Sequence, residues 1–157
     1  MHARTRRAPL AALLVMSASP AFGADGSAVF AQNCLMCHQS GAAGLPGQFP
    51  RLAGRAVLIS VKPKGRAYLI HLLTYGMTGS ISVDGQDIVG LMPAFATLSD
   101  DSVATVLNYV QSLGDQPKRA PAPFTVAEVH AGRGGAAMSA ADVHAERQSL
   151  GLARTVP

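Results

Sequence analysis

The chain has 157 residues, of which 48% are hydrophobic and 14% are charged, and its formal net charge is +4. A nucleic-acid-binding domain would show a dominant basic surface, which this modest charge does not provide. The length is sufficient for one small domain. The chain has only two cysteines, at positions 34 and 37, and both lie in one short motif.

Residues 1–23 have the pattern of a secretory signal peptide. Three arginines near the start precede an apolar segment from Leu10 to Ala18, and small residues precede Ala24. The apolar segment is far shorter than the ~20 residues that span a bilayer. We therefore expect a cleaved leader rather than a retained anchor, a periplasmic protein, and no membrane span after cleavage. Without the leader, basic and acidic side chains nearly balance, which excludes nucleic acid as a partner.

A helix is predicted over residues 26–36, with Asp25 or Ser27 as its N-terminal cap. It leads into Cys34-Leu35-Met36-Cys37-His38, a C-x-x-C-H motif that is typical of covalent haem c attachment. The thiols of Cys34 and Cys37 can form thioethers with two vinyl groups on one porphyrin edge, and His38 can then bind the iron. Since the motif occurs once, we expect a single covalent haem c.

Three other interpretations of this motif exist. A disulfide, as in thiol oxidoreductases, would use both cysteines, but the segment before Cys34 has a helical pattern rather than that of a core strand. A zinc site needs about four ligands, and no second cluster of cysteine or histidine follows at a suitable spacing. The motif can also arise by chance. Haem attachment is the interpretation that the residues favour.

Residues 39–63 are rich in glycine and proline and are expected to form irregular loops around the haem edge. A helix is predicted from residue 65 to residue 75, and Gly76 is a natural end for it. A basic stretch begins at Arg51, and an acidic stretch follows later in the chain. Such a distribution can orient a redox partner, and either Arg51 or Arg55 is a candidate for binding a haem propionate.

Residues 76–91 contain four glycines and are expected to form a loop that passes close to the haem. Asp84-Gly85 indicates a tight turn with a short strand beside it. The loop ends at Met92, whose thioether is the candidate second axial ligand and would raise the reduction potential. Pro93 prevents a helix here, so the sulfur can approach the haem face opposite the histidine. Met77 is the second candidate.

Ser99 predicts the N-terminal cap of an amphipathic helix that completes one domain over residues 24–114. Residues 115–157 are predicted to form a Pro-rich linker and a C-terminal tail. The tail has two segments with a helical pattern, over residues 125–133 and 139–150. These helices would either pack on the domain or dock on a partner subunit.

Taken together, these motifs resemble the class I c-type cytochrome family over about residues 25–114. The resemblance rests on the C-x-x-C-H motif, on Gly-x-Met-Pro-x-Phe around Met92 and on the last amphipathic helix. It implies an all-α fold, with a small set of helices wrapped around one covalent haem and Gly/Pro-rich loops. It also implies that the carbonyl group of Pro50 accepts a hydrogen bond from His38 and so orients the imidazole. Phe30 and Tyr109 occupy positions where the family crosses its first and last helices.

The resemblance implies a periplasmic electron-transfer protein that uses His38 and Met92 as axial ligands and is not itself an enzyme. Its partners would be redox proteins of a respiratory chain, namely a donor dehydrogenase and a terminal acceptor. The alternative is a cytochrome c subunit, or dedicated electron acceptor, of a periplasmic dehydrogenase complex, which the tail favours. A sensor in which a gas molecule displaces Met92 is a third hypothesis, and a thiol oxidoreductase without haem is a fourth.

Overall fold

A computed structural model of the protein describes residues 24–152, and the predicted signal peptide lies outside this range. None of the helices in this part of the chain is long and apolar enough to cross a membrane. Two strands, β1 (Met77–Val83) and β2 (Gln86–Met92), lie between the fourth and fifth helices. The seven helices of the described range are α1 (Gly26–Asn33), α2 (Leu35–His38), α3 (Arg55–Ser60), α4 (Gly65–Tyr75), α5 (Asp100–Ser112), α6 (Val126–Arg133) and α7 (Ala140–Ser149).

Helices α1 and α5 cross through an aromatic contact. The ring centroids of Phe30 and Tyr109 are 5.5 Å apart and their planes are tilted by 55°, an arrangement that aromatic pairs favour. The backbones approach closely beside this pair, since a Cβ atom on Gly26 would lie 2.2 Å from the carbonyl oxygen of Thr105. Asp25 begins α1 and caps it through its side chain. This crossing forms one wall of the hydrophobic core.

The all-α prediction requires correction, because residues 76–91 do not form a glycine-rich loop. They lie in an antiparallel hairpin whose register pairs Met77 with Met92 at its open end. The two-residue turn is Asp84-Gly85, with φ values of 52° and 76°, which matches the twist that such hairpins need. The glycines suggested a loop, but the β-branched residues between them favour extended strands.

Two further predictions of local structure are corrected. The helix predicted over 26–36 ends at Asn33, since Cys34 leaves the helical conformation with φ −120° and ψ −30°. The loop predicted over 39–63 contains α3, which begins after Gly54. A six-residue helix is too short to produce a clear 3.6-residue periodicity, so its pattern was not detected among the glycines and prolines.

The C-terminal helices pack on the rest of the chain rather than extending away from it. Helix α6 contacts α4 and α5, and helix α7 contacts α4 and β1. Their buried side chains belong to the same hydrophobic cluster as those of α1, α4 and α5. The tail residues at most 3% exposed are Phe124, Val129, Val143 and Leu152. Of the two alternatives given for the tail helices, packing on the domain is therefore the one observed. The domain boundary at residue 114 stays a prediction.

Candidate haem site

The C-x-x-C-H motif lies at the break between α1 and α2. The backbone amides of Cys37 and His38 both donate to the carbonyl oxygen of Cys34, at 3.2 and 2.9 Å. This turn places all three side chains on the wall of one cavity. Both cysteines are free thiols, and Cys34 is the more buried. Met36, between them in sequence, is 87% exposed.

The environment of Cys34 does not favour a redox-active thiol at this position. Burial raises the pKa of Cys34 to about 11, and the nearby Cys37 acts in the same direction. Reactive cysteines of thiol oxidoreductases have lowered pKa values, because a thiolate is the nucleophile. Cys34 therefore stays protonated at neutral pH and lacks the electrostatic activation of that class of protein.

The imidazole of His38 is held in a defined orientation. Its Nδ1 atom lies 2.9 Å from the carbonyl oxygen of Pro50. Because a carbonyl group can only accept, Nδ1 carries the proton and Nε2 carries a free lone pair. Burial lowers the pKa of His38, while the bond to Pro50 acts in the opposite sense. The side chain is thus a neutral imidazole, the form that binds metal ions.

Met92 reaches the cavity from the end of β2 and is half-buried there. The following segment is fixed on α4, since the amide of Phe95 donates to the carbonyl oxygen of Leu73 at 2.8 Å. Gly76 makes this close approach possible. Its φ is 71°, and a Cβ atom there would lie 2.5 Å from the carbonyl oxygen of Met92. The end of α4 therefore determines where the thioether of Met92 lies.

Met77, the cross-strand neighbour of Met92, also lines the cavity and is only 9% exposed. Its sulfur accepts a hydrogen bond from the Tyr68 hydroxyl at 3.7 Å. Because this sulfur already has a partner in the core, the geometry favours Met92 as the candidate ligand.

The five predicted site residues, Cys34, Cys37, His38, Pro50 and Met92, line a single cavity of about 570 Å³. This volume is within the ~300–1,000 Å³ that is usual for sites of small molecules and cofactors. The remaining wall is mostly apolar and includes Leu52, Ile59, Leu69, Leu73, Phe95 and Leu107. An apolar cavity lined by two thiols, one imidazole and the thioether of Met92 matches the attachment points and axial ligands that haem c requires.

Two arginine side chains form a charged part of the cavity wall. Arg51 and Arg55 line it, and both donate to the carboxylate of Asp84, at 2.9 and 3.1 Å. Burial lowers the pKa of Arg55, which is 4% exposed, and Asp84 opposes that effect. The hydrogen bond from Arg51 lowers the pKa of Asp84. These contacts join the basic and acidic stretches of the sequence, so the charge separation expected between them is reduced.

Arg147 is a residue of the cavity wall that was not predicted from the sequence. Arg147 lies on α7, is 6% exposed and lines the same cavity as His38. The sequence carries one signal for it, since Arg147 follows the apolar Val143 by one turn on the same side of the predicted helix. Two of the other histidines are outside the cavity wall: His130 contacts Asp100, and His144 contacts a backbone carbonyl of β1.

Comparison with known proteins identifies the family. Residues 21–110 match the sequence profile described as "Cytochrome C oxidase, cbb3-type, subunit III". A cytochrome c-552 from Thermus thermophilus is 40% identical over 145 residues, which cover 91% of this chain and 97% of the relative. The chain belongs to the class I c-type cytochrome family. This cytochrome is therefore an electron-transfer protein and not itself an enzyme, and the cofactor of its family is haem c.

The similarity to cytochrome c-552 continues beyond the family profile. An alignment that covers 91% of this cytochrome must include part of the tail. The fructose dehydrogenase cytochrome subunit of Gluconobacter japonicus is 31% identical over 115 residues, which cover 69% of this chain but 22% of that relative. The alignment thus covers nearly the full length of the cytochrome c-552, but only a part of the dehydrogenase subunit.

Proposed function

We propose that this cytochrome is a periplasmic electron carrier with one covalent haem c. Cys34 and Cys37 would form the thioether bonds to the haem, and His38 and Met92 would bind its iron. The observation that carries this proposal is the convergence of these four side chains on one apolar cavity of about 570 Å³. The neutral imidazole with its free Nε2 atom gives that cavity a donor suited to iron.

The haem, when bound, supplies the one-electron chemistry. The protein holds the ligands: the carbonyl group of Pro50 orients His38 and increases its basicity. The sulfur of Met92 raises the reduction potential, and its attachment to α4 limits its movement. Two ligands from the protein leave no open position for a substrate, which suits electron transfer rather than catalysis.

Export is supported by a contact at the start of the described chain. The backbone nitrogen of Ala24 lies 2.7 Å from a carboxylate oxygen of Asp101, in the first turn of α5. Cleavage of residues 1–23 would convert this nitrogen into a charged α-amino group that is paired with Asp101. Mass spectrometry of the secreted protein tests this step, and the expected first residue is Ala24.

A dehydrogenase-associated role is the second candidate function. It is favoured by the similarity to the fructose dehydrogenase subunit and to the cytochrome c subunit of the quinone alcohol dehydrogenase of Gluconacetobacter polyoxogenes, which is 25% identical over 104 residues. The tail suggested this role in the sequence, but its helices pack on the cytochrome itself. We therefore favour a free carrier between a donor dehydrogenase and a terminal acceptor of a respiratory chain.

The first experiment is a haem-stained gel of periplasmic and membrane fractions, native in the first dimension and denaturing in the second. Haem that stays with a small polypeptide after denaturation supports covalent attachment, and an unstained polypeptide refutes the proposal. Migration near the monomer size in the native dimension supports a free carrier. A much larger haem-containing species supports the dehydrogenase subunit instead.

A second experiment tests the axial ligand with a matched pair of variants, Met92→Leu and Met77→Leu. The ferric protein is expected to show a sulfur-to-iron charge-transfer absorption band that Met92→Leu removes and Met77→Leu keeps. The potential should fall in Met92→Leu alone, because only that variant loses thioether ligation. The reverse pattern would assign the ligand to Met77.

Carbon monoxide binding by the unmodified ferrous protein at neutral pH would support the gas-sensor hypothesis.

A further inference from the structure

A buried guanidinium group from the tail faces the cavity. Arg147 is 6% exposed and lines the cavity wall together with residues of α2, α4 and the hairpin. Its Nη1 atom is 3.5 Å from the Tyr68 hydroxyl, and its Nη2 atom is buried with no hydrogen-bond partner among residues 24–152. A buried donor without a partner is costly, so this atom indicates a missing acceptor.

The position of Arg147 is well determined by its helix. Helix α7 begins with a reciprocal capping contact, in which the Ser139 and Asp142 side chains each accept from the backbone amide of the other residue. Val143, one turn before Arg147, is fully buried. The guanidinium group is therefore presented to the cavity by a packed helix and not by a loop.

The charge around this group is not balanced by the protein. Arg51, Arg55 and Arg147 line the cavity, and Asp84 is the carboxylate that pairs with the first two. In the described part of the chain no carboxylate pairs with Arg147, and its neighbour Glu146 is bonded to a histidine of α4 at 2.9 Å. Arg147 is therefore a buried positive charge beside an apolar cavity with no paired carboxylate in this part of the chain. An anionic group is needed to offset it.

We infer that Arg147 binds a propionate of the haem, so that the C-terminal helix α7 forms part of the cofactor site. This inference rests on the proposed haem c function. A propionate carries the carboxylate that a guanidinium group binds best, through two parallel hydrogen bonds. The haem has two propionates, and one of them would offset the charge of Arg147.

This contact has two consequences for the cytochrome. It connects the docking of the tail to the presence of the haem, since α7 contributes a group that would otherwise be buried without an acceptor. It also places a positive charge near the iron. A nearby cation favours the reduced state, which carries one positive charge fewer. Loss of Arg147 should therefore lower the reduction potential.

The test uses the full chain, exported in a bacterial host that attaches haem c, with the variants Arg147→Gln and Arg147→Lys. Arg133→Gln is the matched control, because Arg133 is also a tail arginine with a buried, unpartnered Nη2 atom but does not line the cavity. We expect a lower potential and a shifted propionate bending vibration in the resonance Raman spectrum of Arg147→Gln. Arg147→Lys should retain most of the potential, and Arg133→Gln should match the unmodified protein in both measurements.

Unchanged potential and vibration in Arg147→Gln, with covalent haem present on a denaturing gel, would overturn the role of Arg147 alone. Absence of covalent haem from the unmodified protein would overturn the proposed function and this inference together. If Arg147→Gln fails to fold, nuclear magnetic resonance of the ¹⁵N-arginine-labelled protein decides the question. A strong paramagnetic shift of the Arg147 side-chain Nε–H signal in the ferric state is expected, and its absence would refute the contact.

Discussion

Asp84 is the single residue on which the ion pairs at the cavity depend. Its carboxylate accepts hydrogen bonds from Arg51, near the surface, and from Arg55, which is 4% exposed. The side chain of Asp84 itself is 37% exposed, so solvent weakens its contribution. Asp84 stabilises the protein mainly through its ion pair with Arg55, because removal of the carboxylate would leave a buried guanidinium group without its ion partner.

We expect Asp84→Asn to lower the free energy of unfolding of the cytochrome by about 1–3 kcal/mol, the range for a buried hydrogen-bonding group that loses its partner. Asparagine tolerates the positive φ of this turn position, so the hairpin should be kept. Chemical denaturation measures the difference. Asp87→Asn, an exposed change on β2, is the control and should have little effect. Equal losses in both variants would contradict the role given to the ion pairs.

The ion pair between Arg51 and Asp84 also predicts that the stability of the protein depends on pH. The hydrogen bond from Arg51 lowers the pKa of Asp84 in the folded protein. A carboxyl group of this kind contributes stability that is fully present above its unfolded pKa of about 3.9 and is lost as pH falls through its folded pKa. The difference in unfolding free energy between the unmodified protein and Asp84→Asn should be constant near neutral pH and should decrease below about pH 4. A difference that grows on acidification would refute this assignment.

The hairpin of β1 and β2 carries Met92 at its open end. Its open end lies against the C-terminus of α4, where Gly76 has a φ of 71° and contacts the backbone of Met92. Gly76 combines a positive φ with a ψ of −171°, a conformation that is essentially restricted to glycine, and it also makes the close approach to Met92. Gly151 has a φ of 66° but no atom near the position that a Cβ would occupy. Gly151 is therefore a control for a positive φ without the steric contact.

We expect Gly151→Ala to lose about 1–2 kcal/mol of stability through its positive φ. Gly76→Ala should lose more, because its φ of 71° combined with ψ of −171° is a conformation that is essentially restricted to glycine. Only Gly76→Ala should also displace Met92, because its new Cβ would lie 2.5 Å from the Met92 carbonyl oxygen. Chemical denaturation reports the first effect, and the sulfur-to-iron charge-transfer band of the ferric protein reports the second. A normal band in Gly76→Ala would show that the end of α4 does not determine the position of Met92.

Over the whole molecule, the tail and the haem-binding part share one hydrophobic core. Val143 of α7 is fully buried in the cluster that also contains residues of α1, α4 and α5. We expect Val143→Ala to lower the unfolding free energy by about 2 kcal/mol, through lost burial and a residual cavity. The protein should still unfold in a single transition. Val126→Ala, at a side chain 47% exposed on α6, should change stability little. Two separate transitions would instead show that the tail is an independent unit.

The central cavity also predicts that folding depends on haem attachment. A small chain with a cavity of about 570 Å³ in its interior buries too little apolar surface on its own. The double variant Cys34→Ala, Cys37→Ala should therefore lose much of its helical circular dichroism signal. Met36→Ala changes a side chain of the same motif that is 87% exposed, and it should keep both haem and signal. A fully native helical spectrum of the double variant would contradict this expectation.

Local features could be predicted from the sequence because neighbouring residues determine them. The residues of α4, the cap at Ser99 and the turn at Asp84-Gly85 depend on side-chain and backbone preferences within a few positions. The site residues were proposed on the same basis, since the spacing of C-x-x-C-H is itself the chemical signal. The break at Cys34 and the short helix α3 were not predicted, because both are too brief to leave a periodic pattern.

The sequence alone determined the motif, the candidate ligands and most helices, because each follows from the chemistry of adjacent residues. Only the tertiary structure decided that the glycine-rich segment is a hairpin, since strands exist through their pairing with each other. It also decided that the tail packs on the domain and that Arg147 lies at the same cavity as His38. These residues are far apart in the chain, and their proximity depends on how buried faces pack together, which local patterns do not specify.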